Sequence, residues 1–447
     1  MQEVKQERKQ VSADSKVVFM LLFVFVLALV INLCVGFTLG MQREMESDAL
    51  YFRQIAQSIS DGCGYYHREG FWPDEPTMSR LPAWPFAISL LFRTFPGICP
   101  DMSMRFLNIV LNAVVAVLVA WLTRMLFRNM TASLVAGILY SVHPSALFLT
   151  YTGESEILFL LLTLSGVIMM LSSAGIRWAG FILLGVSCLV RANFILWIIF
   201  YTVLCLVMVV KSHLHDITGS LGERRWANDC SICDARFPLL TFTACVLLFA
   251  LSPTLWMLRN YSVCGHFPVM SSLKGEVLYG GNNVLTCEEF EYWGYWVFPD
   301  RIPGEVSKAN LALRMNEYEM DAYYSGKGKA FVRKNLVHMP RLLIGKFVRA
   351  YIPLPWKLKP GTVAVSLYRW SLYLAAIVGI VFAWKRMSHG YVMILFALIL
   401  VNVFTVLVFW GCARFAFELE PFLLPLAAMG LLRLVFPRVF SGATIFE

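Results

Sequence analysis

Acidic side chains that could do chemistry lie just outside long apolar segments of the chain. Asp48 comes shortly after the first such segment, and Glu154 and Glu156 lie between two later ones. A carboxylate at such a boundary can act as a general base on a substrate held at a membrane surface. The alternative is an ordinary structural role, because loop acids are often solvated and glutamates favour helix N-termini. The residues themselves leave both interpretations open.

Three arginines occupy comparable positions. Arg191 interrupts an otherwise apolar stretch, and Arg259 and Arg414 lie at the ends of two other apolar segments. A guanidinium group among apolar residues is costly in a membrane and usually faces a cavity, a partner or a substrate. Its planar set of donors suits phosphate oxygens, so these arginines could hold a lipid phosphate. They could also simply extend to lipid headgroups.

The elements that position these residues are predicted to be membrane helices. The 447 residues are 58% hydrophobic and only 15% charged, with a mean hydropathy of +0.65. Globular proteins are about 45–50% apolar and about 25% charged. These values exclude a soluble multidomain protein, a disordered chain and a small disulfide-rich fold. We therefore predict an all-α polytopic membrane protein.

Nearly uncharged runs predict about ten transmembrane helices, because about 20 apolar residues cross a bilayer core of about 30 Å. Residues 178–210 would form a helix of about 50 Å if it were continuous, so two short spans turning near Arg191 are predicted there. The other predicted spans are residues 17–39, 106–123, 131–153, 157–176, 237–258, 367–384, 390–413 and 415–436.

The distribution of Lys and Arg orients these spans. Every short loop predicted to be cytoplasmic is basic, as the positive-inside rule requires, so the net charge of +9 does not indicate a nucleic-acid partner. Both termini are then cytoplasmic and the two long loops are extracytoplasmic. The predicted divisions are a cytoplasmic tail (1–16), a transmembrane catalytic module (17–258) that includes the first long loop (40–105), the second long loop (259–366), C-terminal transmembrane helices (367–436) and a cytoplasmic tail (437–447).

Both extracytoplasmic loops are predicted to carry short interfacial helices. In the first loop these cover residues 49–59 and 86–95, which are too short to span a membrane. In the second loop an amphipathic helix is predicted over residues 329–351, with a break at Pro340. Asn282 and Asn283 follow two glycines, which is typical of a turn, and their amides could also hydrogen-bond sugar hydroxyls.

Several short motifs together resemble a known family. The chain is similar to the lipid-dependent glycosyltransferases of family 39, the protein-mannosyltransferase-like group of the glycosyltransferase C superfamily. It departs from the family pattern at Ala192, Ala416 and Glu418, which replace a proline, an arginine and a proline. The matching motifs are Asp48-Ala49-Leu50-Tyr51, Gly62-Cys63-Gly64-Tyr65, Leu81-Pro82-Ala83-Trp84-Pro85, Ser155-Glu156-Ile157-Leu158-Phe159, Leu189-Val190-Arg191, Trp256-Met257-Leu258-Arg259-Asn260-Tyr261, residues 275–283 and Arg414-Phe415.

The resemblance implies an inverting glycosyltransferase of the cell envelope. Its donor would be a polyprenyl- or dolichyl-phosphate hexose or pentose, and its acceptor a lipid, glycan or protein on the extracytoplasmic face. By the same resemblance Asp48 is the general base, and Glu156 orients the acceptor or binds a divalent metal, although no cofactor is required. The substrate-binding residues that the resemblance implies are Tyr51, Arg191, Arg259, Asn260, Tyr279, Asn282, Asn283 and Arg414.

Other functions fit the same features. A transporter or flippase of lipid-linked sugars would also have about ten spans and intramembrane arginines, although inverted repeats are not apparent. A mannosyltransferase of the dolichol or anchor-assembly pathways would share the fold and the base but not the segment around Arg259. A partner protein that has lost catalysis is a further alternative. We expect a bacterial plasma membrane as the location, or the endoplasmic reticulum if the protein is eukaryotic.

Overall fold

The computed structural model is built from helices. It describes residues 2–41, 43–172, 174–218, 239–267, 270–352, 354, 360–383, 387 and 389–436. Within these ranges every regular element is a helix, apart from one isolated bridge between Tyr66 and Pro76. This agrees with the predicted all-α class. The predicted tail 437–447 and most of the predicted inner loop around residues 219–238 lie outside the described residues.

The N-terminal half contains apolar helices together with two shorter helices in the first long loop. Its helices are α1 (Gln2–Leu39), α2 (Ser47–Ser60), α3 (Ala83–Thr94), α4 (Pro100–Phe127), α5 (Met130–Ser141), α6 (Pro144–Thr152), α7 (Glu156–Leu171), α8 (Ala174–Ser187) and α9 (Ile195–Thr218).

The C-terminal half contains the second long loop between two groups of apolar helices. Its helices are α10 (Leu239–Cys264), α11 (Lys274–Gly281), α12 (Val284–Glu288), α13 (Lys308–Ala312), α14 (Glu317–Lys334), α15 (Met339–Tyr351), α16 (Pro360–Ala383), α17 (His389–Val408), α18 (Ala413–Phe417) and α19 (Glu420–Val435).

Fewer helices than predicted are long enough to cross a membrane. Five described helices are long and apolar enough to cross a membrane, and the bent pair α5 and α6 makes six if it is one span. Each of the ten predicted spans coincides with at least part of a helix, but α7, α8, the apolar part of α9 and α19 are short. The structure therefore supports a multi-pass membrane protein and does not confirm the count of ten.

Two predicted spans change in the structure, and one predicted break is present. The predicted span 131–153 bends by 47° between α5 and α6, where Pro144 cannot continue the hydrogen-bond ladder. The span 157–176 ends early at Leu171, so Arg177 lies within α8 rather than in a loop. The break predicted near Arg191 is present, because α8 ends at Ser187 and α9 begins at Ile195.

The amphipathic segment of the second loop also breaks at a different residue. We predicted one helix broken at Pro340, but α14 ends at Lys334 and α15 begins at Met339. Pro340 lies in the first turn of α15, where its missing N–H removes no helical hydrogen bond. The proline therefore starts a helix instead of interrupting one.

Glycines allow two of the C-terminal helices to pack very closely. A Cβ atom added to Gly379 of α16 would lie 1.9 Å from the carbonyl oxygen of Leu426, and one added to Gly430 of α19 would lie 1.9 Å from that of Ala375. Small residues at such contacts are typical of helix pairs in membranes. This packing holds α16 and α19 together.

The two long loops pack against each other. The indole of Trp72 in the first loop donates a hydrogen bond of 3.1 Å to the carbonyl of Met315 in the second. Glu317 accepts hydrogen bonds from the backbone N–H of Met78 and from the hydroxyl of Thr77. These hydrogen bonds fix residues 77–80, which include Arg80, against the second loop.

A buried network of polar and charged side chains connects α6, α16 and α19. The carboxylate of Glu420 accepts hydrogen bonds from Arg369 Nε at 2.5 Å and from the Tyr373 hydroxyl at 2.6 Å. Its second oxygen lies 3.1 Å from Nε2 of His143, and the side chains of His143, Arg369 and Glu420 are at most 2% exposed. Arg369 also donates to the carbonyl of Ala350 in α15.

Replacement of Glu420 by alanine is expected to lower the free energy of unfolding by about 3–5 kcal/mol, because it leaves the buried charge of Arg369 unpaired. Thermal melting of the purified protein in nanodiscs measures this effect. The exposed Glu289, replaced by alanine, should change stability by no more than about 0.5 kcal/mol. Equal melting temperatures for the two variants would contradict the assignment.

Candidate active site

Seven charged side chains from five parts of the fold meet at one end of the helical bundle. They come from α2, from the segment before α3, from the α6–α7 turn, from the α8–α9 break and from the region of α18. We call this set the ion-pair cluster. It consists of Asp48, Arg80, Glu154, Glu156, Arg191, Arg414 and Glu418.

Arg414 is the centre of the cluster because its guanidinium group contacts three carboxylates. Nη1 lies 3.3 Å from Oδ2 of Asp48, and Nη2 lies 2.8 Å from Oε2 of Glu154. Nε donates to Oε1 of Glu156. The planar arrangement of donors in arginine allows one side chain to bridge three acids.

Two further arginines complete the cluster. Arg191 contacts Oε1 of Glu156 at 2.9 Å through Nη1 and Oε1 of Glu418 at 2.5 Å through Nη2. Arg80 contacts Oδ1 of Asp48 at 2.8 Å. Arg191 therefore faces carboxylates inside the protein and does not extend to lipid headgroups.

The turn between α6 and α7 holds Glu154 and Glu156 in place. Gly153 ends α6 with a φ of +78°, a left-handed conformation that glycine adopts without steric cost. The carbonyl of Gly153 accepts a hydrogen bond from the Trp84 indole, and the carbonyl of Glu154 accepts one from Asn108. Glu156 is the first residue of α7, where the helix dipole favours a negative charge.

α2 positions Asp48 from the other side. Its buried face includes Phe52, which packs with Trp84 and Ile88 of α3. Arg53 of α2 pairs with Asp101 at 3.3 Å, and Asp101 also accepts a hydrogen bond from the backbone N–H of Met45. These contacts direct the first turn of α2 towards Arg414.

The charges of the cluster are almost balanced. Four carboxylates face three guanidinium groups, so protonation of one acid gives neutrality. Burial acts to raise the pKa of Asp48, but the nearby Arg80, Arg414 and Arg191 outweigh it and hold this pKa below its usual value. Burial raises the pKa of Glu154 to about 8, and the carboxylates of Glu156 and Asp48 add to this effect. At neutral pH we therefore assign a negative charge to Asp48 and a proton to Glu154.

Asp48 is the acid of the cluster that a substrate can reach. Its side chain is 39% exposed, whereas those of Glu154, Glu156 and Glu418 are at most 7% exposed. An ionised and accessible carboxylate can accept a proton from an acceptor hydroxyl. Glu156 has a buried Oε2 with no hydrogen-bond partner within the described residues, while its Oε1 is held by two arginines.

The described carboxylates do not form a group that fits a divalent cation. Among the described residues, no three His, Cys, Asp or Glu side chains are grouped as metal ligands. The acids of the cluster contact guanidinium groups, so their oxygens are already bonded to positive charges. We assign no catalytic step to the metal that the resemblance allows at Glu156.

The structure brings four of the predicted site residues together and places Tyr51 beside them. Asp48, Glu156, Arg191 and Arg414 belong to the ion-pair cluster. The ring of Tyr51 is 42% exposed, and the guanidinium group of Arg80 lies 4.9 Å from its centre. The predicted catalytic pair and two of the three predicted phosphate-binding arginines are thus at one site.

Arg259 lies near this site but not in the cluster. Its Nη1 donates to the carbonyl of Thr77 at 2.8 Å and to Asn260 at 3.0 Å, and its guanidinium group lies over the rings of Tyr65 and Trp256. Within the described residues Arg259 forms no ion pair, in contrast to Arg191 and Arg414. It is half-buried and close to the segment that carries Arg80.

The other predicted binding residues make structural contacts elsewhere. The amide of Asn260 donates to the carbonyl of Met270, and the hydroxyl of Tyr279 donates to Glu305 at 2.5 Å. Asn282 binds the buried ammonium group of Lys346 at 2.8 Å, and Asn283 caps α12. These contacts use their polar groups within the second loop, so a role in substrate binding stays a prediction without structural support.

The part of the chain that supplies most of the cluster also carries a family signature. Residues 14–219 match the mannosyltransferase (PIG-V) family. This is a family of the glycosyltransferase C type, so the match supports a membrane glycosyltransferase, whereas family 39 itself is not confirmed. Comparison with curated proteins finds no significant match.

The mannosyltransferase match covers slightly less than half of the chain. It includes Asp48, Glu154, Glu156 and Arg191 but ends before Arg259 and Arg414. Among the functions weighed from the sequence, a mannosyltransferase of the dolichol or anchor-assembly pathways is closest to this match. That function was expected to share the base but not the segment around Arg259, which lies outside the matched range.

Sequence reasoning missed two members of the cluster. Arg80 was not among the predicted site residues, and Glu418 was named only as a departure from a family pattern. Both contacts join residues that are far apart in sequence, since Arg80 reaches Asp48 and Glu418 reaches Arg191. The one available signal was charge balance, because three intramembrane arginines require a similar number of nearby acids.

The protonated state of Glu154 predicts a pH dependence of stability. Its pKa is raised to about 8 in the folded protein from an ordinary value of 4.5, so the folded state retains a proton that the unfolded state loses. The contribution of this group to stability should therefore be complete below pH 4.5 and decline up to about pH 8. Melting temperatures from pH 5 to 9 should fall more steeply for the wild type than for Glu154→Gln. Parallel curves would refute the assignment of the proton.

Proposed function

We propose that the chain transfers a sugar, with mannose the first candidate, from a polyprenyl- or dolichyl-phosphate donor to a hydroxyl group on the extracytoplasmic face. The observation that carries the proposal is the accessible carboxylate of Asp48, which three nearby arginines keep ionised at the end of a helical bundle. The mannosyltransferase match supports the sugar. The predicted orientation of the basic loops supports the face.

The reaction needs one base and a stabilised leaving group. Asp48 accepts the proton of the acceptor hydroxyl, and the oxygen forms a bond to the anomeric carbon of the donor. The bond between that carbon and the phosphate oxygen breaks with inversion, and the lipid phosphate leaves with the electron pair. Fixed donors that stabilise the developing negative charge lower the barrier. Deprotonation of the hydroxyl makes a better nucleophile.

Arg259 is the arginine best suited to the donor phosphate. The guanidinium groups of Arg191 and Arg414 are already bonded to carboxylates, whereas among the described residues that of Arg259 contacts only neutral groups and aromatic rings. A phosphate that binds Arg259 does not have to displace an acid. The cluster arginines then serve mainly to place and ionise Asp48.

Arg259→Ala is expected to weaken donor binding by about tenfold, since a hydrogen bond to a charged group contributes about 1.5–3 kcal/mol. The acceptor KM should change much less, because the phosphate belongs to the donor. Initial rates at varied donor and acceptor concentrations separate the two. The exposed Arg314, replaced by alanine, is the matched control. An unchanged donor KM in Arg259→Ala would remove this residue from the donor site.

The function itself is tested with purified protein in liposomes. Radiolabelled polyprenyl-phosphate sugars, with the mannose form first, are supplied together with a total membrane extract as acceptor. Wild type and Asp48→Asn are compared. Label in a new product with the wild type alone supports a transferase and identifies its donor. Label that crosses the bilayer equally with both proteins, without a new product, would mean a lipid-sugar transporter.

A further inference from the structure

Residues 77–80, which we call the strap, are anchored along their backbone by groups outside the strap. All four carbonyls of the strap accept hydrogen bonds of 2.8–3.2 Å, given in chain order by Arg259, Ser272, Ser271 and Tyr65. The N–H of Thr77 also donates to the carbonyl of Tyr65 at 3.1 Å. Because the backbone is held at each residue, the strap fixes the point from which the side chain of Arg80 extends.

Glu317 anchors the strap from the second loop. Both of its carboxylate oxygens accept from the N–H of Met78, at 3.2 and 3.1 Å, and Oε1 also accepts from the Thr77 hydroxyl at 3.3 Å. The hydroxyl of Ser272 donates to the same oxygen. Glu317 is the first residue of α14, where the helix dipole favours a negative charge. Its carboxylate therefore joins α14 directly to the strap.

The other end of the strap reaches Asp48. Nη2 of Arg80 lies 2.8 Å from Oδ1 of Asp48, whereas Nη1 of Arg414 lies 3.3 Å from Oδ2. The side chain of Arg80 is 14% exposed, and its guanidinium group lies over the ring of Tyr51 at 4.9 Å. Arg80 is thus the closer of the two arginines bonded to Asp48, and its place depends on the strap.

We infer that Glu317 is a positioning residue for Asp48, and that it acts through the strap and Arg80. The inference rests on the proposed function, in which Asp48 accepts the proton of the acceptor hydroxyl. Glu317 itself touches neither the substrates nor the reacting atoms. It fixes the backbone at Met78, two residues before Arg80, and Arg80 holds one oxygen of the base. Loss of Glu317 lets Arg80 withdraw from Asp48 while both of these side chains are still present.

The charged groups around Asp48 determine how this change is observed. Burial raises the pKa of Asp48, and Arg80 is the strongest of the three arginines that lower it. A weaker contact with Arg80 therefore raises this pKa, and the base is ionised only at higher pH. The charged groups that face Glu317 are Arg259 and Asp321. Those that surround Asp48 are the other members of the ion-pair cluster, Arg80, Glu154, Glu156, Arg191, Arg414 and Glu418.

The first test is the pH profile of kcat. Glu317→Ala should move the acidic limb to higher pH by about one unit, since an arginine beside an aspartate lowers its pKa by about 1–3. Glu317→Asp has a carboxylate one methylene shorter, so it should give a smaller shift in the same direction. Glu317→Gln retains an oxygen that accepts from Met78 and should recover most of the wild-type profile.

The control for these variants is Glu319→Gln, at an exposed glutamate of the same helix. Its profile should match that of the wild type. Thermal melting shows which variants are folded, and the aspartate variant replaces the alanine variant if the latter does not fold. An unchanged acidic limb in the folded alanine and aspartate variants would overturn the inference. Equal shifts in Glu317→Gln and Glu317→Ala would also overturn it.

A double-variant cycle tests whether the effect passes through Arg80. Substitutions that act independently have additive effects, whereas those on one path do not. Glu317→Ala combined with Arg80→Ala should therefore shift the profile no further than Arg80→Ala alone. Additive shifts would mean that Glu317 acts by another route and would overturn the inference.

The last test does not depend on transfer. A water-soluble carbodiimide reacts with protonated carboxyl groups, so its rate of reaction with Asp48 across a pH range reports the protonation of this residue. Peptide mass spectrometry of the full-length protein in nanodiscs measures that rate. The pH midpoint should be higher for Glu317→Ala than for the wild type and Glu319→Gln. A higher midpoint in a protein that transfers no sugar would reject the proposed function and keep the positioning role. Equal midpoints in an active protein would overturn the inference alone.

Discussion

Asp48→Asn is expected to reduce kcat by about 10²–10⁴-fold, the contribution that a positioned general base makes to catalysis. The substitution preserves the shape of the side chain and removes its ability to accept a proton. The donor KM should be nearly unchanged, because the proposed donor contacts lie at Arg259. Initial rates with a saturating polyprenyl-phosphate sugar measure the effect.

Two comparisons make this result specific. Glu46 lies two residues before Asp48, and its side chain is 75% exposed and pairs only with Arg43 among the described residues. Glu46→Gln should therefore keep activity close to that of the wild type. Melting temperatures of Asp48→Asn show whether the fold is intact, since Asp48 is partly exposed and its loss should be tolerated. A folded Asp48→Asn protein with normal kcat would exclude Asp48 as the base.

Arg414→Ala should have the largest effect on stability within the site. It removes the arginine that binds Glu154 and one of the two arginines that bind each of Asp48 and Glu156, and Glu154 and Glu156 are almost fully buried. Removal of one partner from a buried ion pair destabilises a protein by about 3–5 kcal/mol. Transfer should be lost as well, because Asp48 loses one of the two arginines that place it.

Arg414→Lys tests whether geometry or charge is responsible. An ammonium group is a point charge on a flexible chain and cannot bridge three acids in one plane, so we expect lysine to recover only part of the stability. Arg43→Ala is the surface control, since its exposed pair with Glu46 should contribute about 0–1 kcal/mol. Thermal melting and transfer rates are measured on all three variants. Full recovery by lysine would show that only the charge at this position matters.

The two predictions separate the chemistry of the site from its construction. Asp48 is accessible, so its replacement should affect the rate more than the fold. Arg414 contacts the buried acids, so its replacement should affect the fold and the rate together. The opposite pattern would mean that Asp48 is structural and that Arg414 faces the substrate.

The sequence by itself determined the class of the protein and most of its helices. Apolar runs are directly visible in composition, because a helix inside a bilayer must satisfy its own backbone hydrogen bonds and present apolar side chains. The turn near Arg191 followed from length, since 33 residues make a helix too long for one crossing. The candidate base Asp48 followed from its position just outside a span.

The partners of the charged residues were decided only by the tertiary structure. Asp48, Arg80 and Arg414 are separated by tens to hundreds of residues, and nothing local links them. Arg191 and Arg414 were expected to face a phosphate, yet both are bonded to carboxylates. Glu418, for example, binds Arg191, and Glu154 binds Arg414. A charge in a low-dielectric environment requires a compensating charge, but the sequence does not specify which one. Packing of α2, α7 and α18 at one end of the bundle makes that choice and leaves Asp48 as the accessible acid.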